Sequence, residues 1–387
     1  PPRSTPKPSS AASDVYKRQL RDSAKDFAEN RTPVNHFRSL RDNSNAQNWD
    51  KDVWQEMVDL GWSGILIPEE FGGSDFGLAG ISVIMQEVGK TLTPSPLLAT
   101  AVLGASAINT FGTQEQKAEY LPKIASGEIT IALAVDEESH HAPANTVTKA
   151  ELVGEEWALN GKKKFVVDGA SANIIIVLTR TSGSKGDKTG LTLFILDSNH
   201  EGLKIIKTDM ADCRNYANIV LDNVKLPKNA LLGDQESGGE AIDKILDEGR
   251  IALSAEMLGN SEAAFEMTLN YLKERKQFGV LIGTFQALQH RAAEMFVEIE
   301  LTKSAVMAAM QGADENNNDL QRMASLAKSI AGETLYLVSN ESVQMHGGIG
   351  VTDEYDIGFY MKRARVAEVI FGGANFHQER YANLSNF

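Results

Sequence analysis

The residues best suited to chemistry sit in four short stretches of the 387-residue chain. In "ERKQFG", Arg275 offers a planar fork of donors that matches a pyrophosphate, and Phe278 offers a ring face for stacking. Gln286 follows Arg275 by about three helical turns, which returns it to the same face. In "QMHGGIG", Gln344 supplies amide donors, while Gly347 and Gly348 let backbone N–H groups come close to a phosphate. In "LDEGR", the charges of Asp247, Glu248 and Arg250 surround Gly249, and in "IFGGA" a long helical region closes on Phe371 and two glycines.

The elements that must hold these groups fall into three blocks. From Leu20 to about Gly127 the apolar spacing is helical: Leu20, Ala24 and Phe27 form one stripe, and Val53, Met57 and Leu60 another. Thr113, followed three residues later by Gln116, has the pattern of a capping box. Around Ile129 the texture changes to short β-rich runs such as "NIIIVLTR" and "LTLFILD", punctuated by Gly, Asn, Asp and Ser. After Ser237 helices return, and Ile242, Ile245, Leu246, Gly249 and Leu253 share one buried face. The expected fold is α+β multidomain, with an N-terminal α-helical domain (20–127), a middle antiparallel β-barrel (128–237) and a C-terminal four-helix bundle (238–387). Residues 1–19 lack periodicity and resemble a cloning or adapter sequence, so they are read as a disordered or non-native tail.

Composition narrows the function classes. With 38 Lys+Arg against 52 Asp+Glu the net charge is −14, which argues against nucleic-acid binding. No apolar run approaches the ~18 residues of a membrane span. The single cysteine, Cys213, cannot form an internal disulfide, and a reducing cytoplasm is the expected setting. His140 and His141 are adjacent, a poor arrangement for chelating one ion, and are read as part of a solvated loop.

Four segments together, "LGWSGILIPEEFGGSDFGL", "LDEGRIALSAEMLG", "YLKERKQFGVLIGTFQALQH" and "QMHGGIGVTDEYDIGFYMKRAR", resemble the acyl-CoA dehydrogenase family. The resemblance implies that FAD is gripped by Arg275, Phe278 and Gln286 of one subunit and Gln344, Gly347 and Gly348 of its neighbour. A homo- or hetero-tetramer with a homologous subunit follows. It also implies that Phe165, Val166 and Val167 lie along the flavin and that Asp247 and Arg250 border an acyl-CoA substrate. Electrons would pass to an electron-transfer flavoprotein or a similar acceptor. The look is nearest to the branch of heteromeric dehydrogenases for steroid or other bulky acyl-CoA esters.

The chain also departs from the family pattern. The usual Thr-Glu-Pro…Gly-Ser-Asp stretch reads "ALAVDEESHHAPAN", and Trp-Ile-Thr reads "FVV", so Val167 brings no hydroxyl and Asp168 is the nearest polar substitute. The family's α-proton base is a glutamate at one of two places. One falls here on Phe371 or Gly372, the other on Gly249. Three outcomes stay open: a base relocated to Glu248, about 100° round the helix from Gly249; a base delegated to a partner subunit; or altered chemistry on a kept flavin scaffold. Two competing functions remain beside desaturation, a silent subunit that completes a partner's FAD site and a flavin enzyme for a non-CoA substrate. A glycine within a helix costs about 1 kcal/mol relative to alanine, so an acyl group, a flavin edge or a neighbouring helix is expected to fill the space at Gly249.

Overall fold

The computed structural model describes residues 10–43, 47–315 and 317–387. Six helices come first: α1 (Ser10–Asn30), α2 (Val34–Asp42), α3 (Lys51–Asp59), α4 (Leu78–Lys90), α5 (Ala105–Phe111) and α6 (Gln114–Ala125). Helix α1 begins inside the stretch read as a tail, so the helical block starts ten residues before the expected Leu20; residues 1–9 lie outside the described residues. The capping box at α6 forms as expected, with Thr113 Oγ1 accepting from the Gln116 amide at 3.2 Å and Gln116 Oε1 accepting from the Thr113 amide at 3.0 Å.

The middle block is a sheet of β1 (Ile131–Ala134), β2 (Lys149–Val153), β3 (Glu156–Val167), β4 (Ile174–Arg180), β5 (Leu191–Asp197), β6 (Leu203–Lys207), β7 (Tyr216–Pro227) and β8 (Leu231–Leu232). The barrel expectation is corrected here. The strand order β6-β7-β3-β2-β4-β5-β8 leaves both edges open, and β1 joins β4 in parallel, so the sheet is neither closed nor wholly antiparallel. Strand composition announces burial but not which strand pairs with which. Strand β4 is buried along its whole length because the sheet is covered on both faces. Ile174, Ile176 and Leu178 face the core shared with the helices, while Ile175 and Val177 face a core within the sheet domain.

Helix α7 (Gly238–Glu274) opens the last block, followed by a hairpin of β9 (Lys276–Gln277) and β10 (Val280–Leu281) and by α8 (Gln286–Asp314), α9 (Leu320–His346), α10 (Ile357–Val369) and α11 (Ala374–Leu384). Where a four-helix bundle was expected, the described residues form five helices, with α11 packed on α9. The first and last blocks are not separate in packing. Helix α4 is buried from Leu78 to Gly89 and lies along α7 in one continuous apolar core. Glycines permit the approach: a Cβ on Gly89 would stand 2.5 Å from the Glu256 carbonyl oxygen, and one on Gly259 would stand 1.9 Å from that of Gln86. Among the described residues no helix is long and apolar enough to cross a membrane, and no group of His, Cys, Asp and Glu could hold a metal ion.

Candidate active site between the sheet and the C-terminal helices

A small cavity of about 130 Å³ opens where β3, the loop after β1 and the turn after α10 meet. Strand β3 brings Phe165, Val166 and Val167 to its wall. The register against β7 shifts between Lys163 and Val166, so Phe165 sits in a bulge with φ of 52° and its side chain is left half out of the sheet. Asp168 does not join them; it turns into a separate polar recess with Arg214 and Arg363, where burial raises its carboxyl to about 7.

The opposite wall includes Phe371, held by a turn several of whose carbonyls are engaged. Arg250 Nε and His377 Nε2 approach the Phe371 oxygen at 3.2 and 3.1 Å, and Lys328 Nζ donates to the Glu368 and Gly372 oxygens at 2.9 and 3.1 Å. Gly249 lies behind this turn. A Cβ there would meet Leu103 Cδ2 at 2.6 Å and Phe371 Cε2 at 3.3 Å. The two places where a carboxylate was looked for are therefore neighbours in space, and hydrocarbon fills the gap between them.

Glu248 is turned away from that gap. Its carboxylate accepts a hydrogen bond from Ser106 Oγ on α5 and lines neither this cavity nor the larger cleft beside it. Burial raises its pKa, against the lowering effect of the Ser106 bond. The physical reason is helical pitch: one residue from Gly249 is enough to carry the side chain to the face of α7 that packs on α5. The sequence-based choice of Glu248 thus lands on a packed helix contact.

The larger cleft, about 600 Å³, is bordered by Arg250, Arg380, Lys188 and Asp243. Asp247 stands behind it, buried, joined to Arg250 Nη1 at 2.8 Å and to both Arg380 terminal nitrogens at 2.7 and 2.8 Å. Asp247 therefore fixes both arginines at the border of the cleft.

His141 corrects the reading of a solvated pair. His140 is exposed, but the His141 side chain is only 2% accessible. Its Nδ1 lies 2.8 Å from Asp136 Oδ2 and its Nε2 lies 3.1 Å from Arg250 Nη2. A carboxylate can only accept and a guanidinium can only donate, so Nδ1 carries the proton and Nε2 offers a lone pair. Burial lowers its pKa most, with Asp136 opposing, which favours the neutral ring. The available signal was the acidic residue five positions earlier, and adjacency to His140 obscured it.

Residues 16–128, 132–224 and 236–383 match the N-terminal, middle and C-terminal domains of acyl-CoA dehydrogenase, in that order. The chain belongs to the acyl-CoA dehydrogenase family. It is 35% identical to the probable acyl-CoA dehydrogenase YngJ of Bacillus subtilis (strain 168), over 82% of this chain and 85% of that protein. Its fold matches butyryl-CoA dehydrogenase from Megasphaera elsdenii with a TM-score of 0.89 at 27% identity, covering 99% of this chain and 100% of that one. A variant of the Tcur3481-Tcur3483 steroid ACAD matches with a TM-score of 0.87 at 29% identity, covering 97% and 98%.

The acyl-CoA dehydrogenase assignment makes the protein an oxidoreductase for the CH–CH bond of acyl-CoA, with FAD as cofactor. When bound, FAD supplies the ring that accepts hydride. The residues present fit it. Gln344, Gly347 and Gly348 line an open cleft of about 610 Å³, and a Cβ on either glycine would meet nothing within 4 Å, so a diphosphate can come close to the backbone there. Arg275 ends α7, Phe278 caps the β9–β10 hairpin at 86% exposure, and Gln286 opens α8 on the surface. These three do not line the cleft of Gln344 within the same chain.

Lys328, which anchors the Phe371 turn, has a measurable consequence. Burial pulls its pKa from 10.5 down to about 7, with Glu368 acting in the opposite direction. Between those values the unfolded chain holds a proton that the folded chain has lost, so this group adds stability as pH rises from about 7 toward 10.5. One proton corresponds to at most about 1.4 kcal/mol per pH unit. The expected result in urea melts at pH 7.5 and pH 9 is a smaller upward slope for Lys328→Met than for the parent chain. Parallel slopes for the two proteins would contradict it.

Proposed function

We propose that this chain desaturates the α,β-bond of a bulky, steroid-like acyl-CoA as one subunit of an assembly with a homologous chain. The observation that carries this reading is the division of the flavin grip. Arg275, Phe278 and Gln286 stand exposed in one place, while Gln344, Gly347 and Gly348 line a cleft that lacks them. A second chain would bring the two halves together on one FAD. Helix α8 supports the same idea, because Phe296, Val297, Leu301 and Met307 are all more than half exposed along it, an apolar surface out of place on an isolated subunit. The bulky substrate rests on likeness to a steroid ACAD. Asp247 and Arg250 border the CoA moiety in this reading, Phe165 to Val167 lie along the flavin, and an electron-transfer flavoprotein or similar acceptor takes the electrons. The bond from Ser106 and a place outside the lining of both cavities weigh against Glu248 as the base.

Anaerobic mixing tests this. The FAD-loaded protein, alone and with a homologous chain carrying Glu at the place of Gly249 or Phe371, is mixed with octanoyl-CoA and with a steroid side-chain CoA ester. Bleaching of the flavin by the steroid ester supports the proposal. Tight FAD binding with no bleaching under either condition supports the silent-subunit reading in its place.

A further inference from the structure

The site lacks a carboxylate at both places where the chemistry calls for one, yet a different proton acceptor stands next to the gap. Among the described residues, His141 is the one side chain that lines both the 130 Å³ cavity of Phe165 and the 600 Å³ cleft of Arg250. A single guanidinium links it to the vacated position: Arg250 reaches the Phe371 oxygen with Nε at 3.2 Å and His141 Nε2 with Nη2 at 3.1 Å. Phe376 closes the contact from the other side, with its ring 5.1 Å from the imidazole centroid and packed where a Cβ on Gly372 would stand. The ring is thus held by the same guanidinium that holds the Phe371 carbonyl, on the cavity wall beside the place a glutamate would have occupied.

Resting on the reading of this site as a thioester site, we propose that His141 is the proton acceptor of this chain, taking the substrate's α-proton on Nε2 while Asp136 holds Nδ1–H. In the step, the Cα–H bond breaks, the proton moves to Nε2, and the electron pair of that bond passes into the thioester carbonyl as an enolate. Asp136 balances the imidazolium that forms, the role of a carboxylate behind a catalytic histidine. The charged and titratable groups around the ring are Asp136 on its own loop, Arg250 on α7, Lys328 on α9 and His377 on α11. Arg250 Nη2 occupies the Nε2 lone pair. A substrate oxygen that draws the guanidinium toward itself frees the base, so deprotonation is tied to occupancy of the cleft.

Proton exchange reads this step without net oxidation. The holoprotein, with its flavin kept reduced by dithionite, is incubated in D2O with octanoyl-CoA and with a steroid side-chain CoA ester, and α-deuterium is followed by mass spectrometry. Ester binding is measured in parallel by calorimetry. The expected result is exchange by the parent protein and a loss of at least about 100-fold in His141→Gln, in the range typical of a general base, with binding changed only a few-fold. Added imidazole is expected to restore exchange to His141→Ala, an outcome that a merely structural histidine would not produce. Asp136→Asn is expected to slow exchange and shift its pH profile. Unchanged exchange in His141→Gln with the ester still bound overturns the role of His141 and leaves the proposed function standing. Binding without exchange in the parent protein likewise overturns it. Failure of both esters to bind overturns the thioester reading and this proposal together.

Discussion

Arg363→Met is expected to lower stability by about 3–5 kcal/mol, the range for removing one partner from a buried ion pair. Arg363 lies on α10 and all three nitrogens of its guanidinium are engaged. Nε and Nη2 donate to the two Glu256 oxygens at 2.9 and 3.0 Å, and Nη1 donates to Asp212 Oδ2 at 2.8 Å and to the Tyr216 hydroxyl at 3.1 Å. Glu256 belongs to α7, whereas Asp212 and Tyr216 belong to the sheet domain, so one side chain joins two helices to the sheet. Glu256 stays ionised because Arg214 and Arg363 outweigh the burial that would protonate it. Methionine fills similar space but leaves Glu256 with Arg214 alone and takes the cation from Asp212, which keeps the Tyr216 hydroxyl and the Arg214 amide. The loss is read as a lower urea midpoint, and ordering of the sheet against the helices should suffer first in hydrogen exchange. A midpoint within about 1 kcal/mol of the parent would mean that these charges are already well solvated.

The second large effect separates two helical glycines by sign. Gly259→Ala is expected to destabilise the protein by about 3 kcal/mol, at the upper end for overpacking a core, and Gly332→Ala to stabilise it by about 0.5–1 kcal/mol. Propensity alone favours alanine at both, since glycine frees the unfolded backbone. At Gly259 the new methyl would stand 1.9 Å from the Gln86 carbonyl oxygen, a backbone atom of α4 that cannot turn aside. At Gly332 the nearest atoms are Glu368 Cγ at 3.7 Å and Met257 Cε at 3.9 Å, ordinary contact. Thermal melts of the two single variants check the pair. Equal signs would show that the approach of α4 to α7 is looser than these distances state.

Several features of the site were legible in the sequence because their signals are local. Period-3.6 stripes marked the helical blocks, β-rich runs marked the sheet, and Thr113 with Gln116 marked the start of α6. The resemblance to the family gave Arg275, Phe278, Gln286, Gln344, Gly347 and Gly348 as the expected flavin grip, and the family assignment supports FAD itself. The absence of a glutamate at Gly249 and at Phe371 was equally readable, being a matter of residue type.

What the tertiary structure alone decided depends on segments far apart in the chain. Periodicity names the buried face of α7 but not its cover, so neither the bond of Glu248 to Ser106 nor the packing of Leu103 and Phe371 over Gly249 was visible beforehand. The openness of the sheet rests on β1 pairing in parallel with β4, a choice that strand composition does not encode. His141 is the sharpest case. Its neighbours in sequence describe a polar loop, while its neighbours in space are Asp136, Arg250 and Phe376, and only the meeting of that loop with α7 and α11 turns a surface histidine into a buried, oriented imidazole.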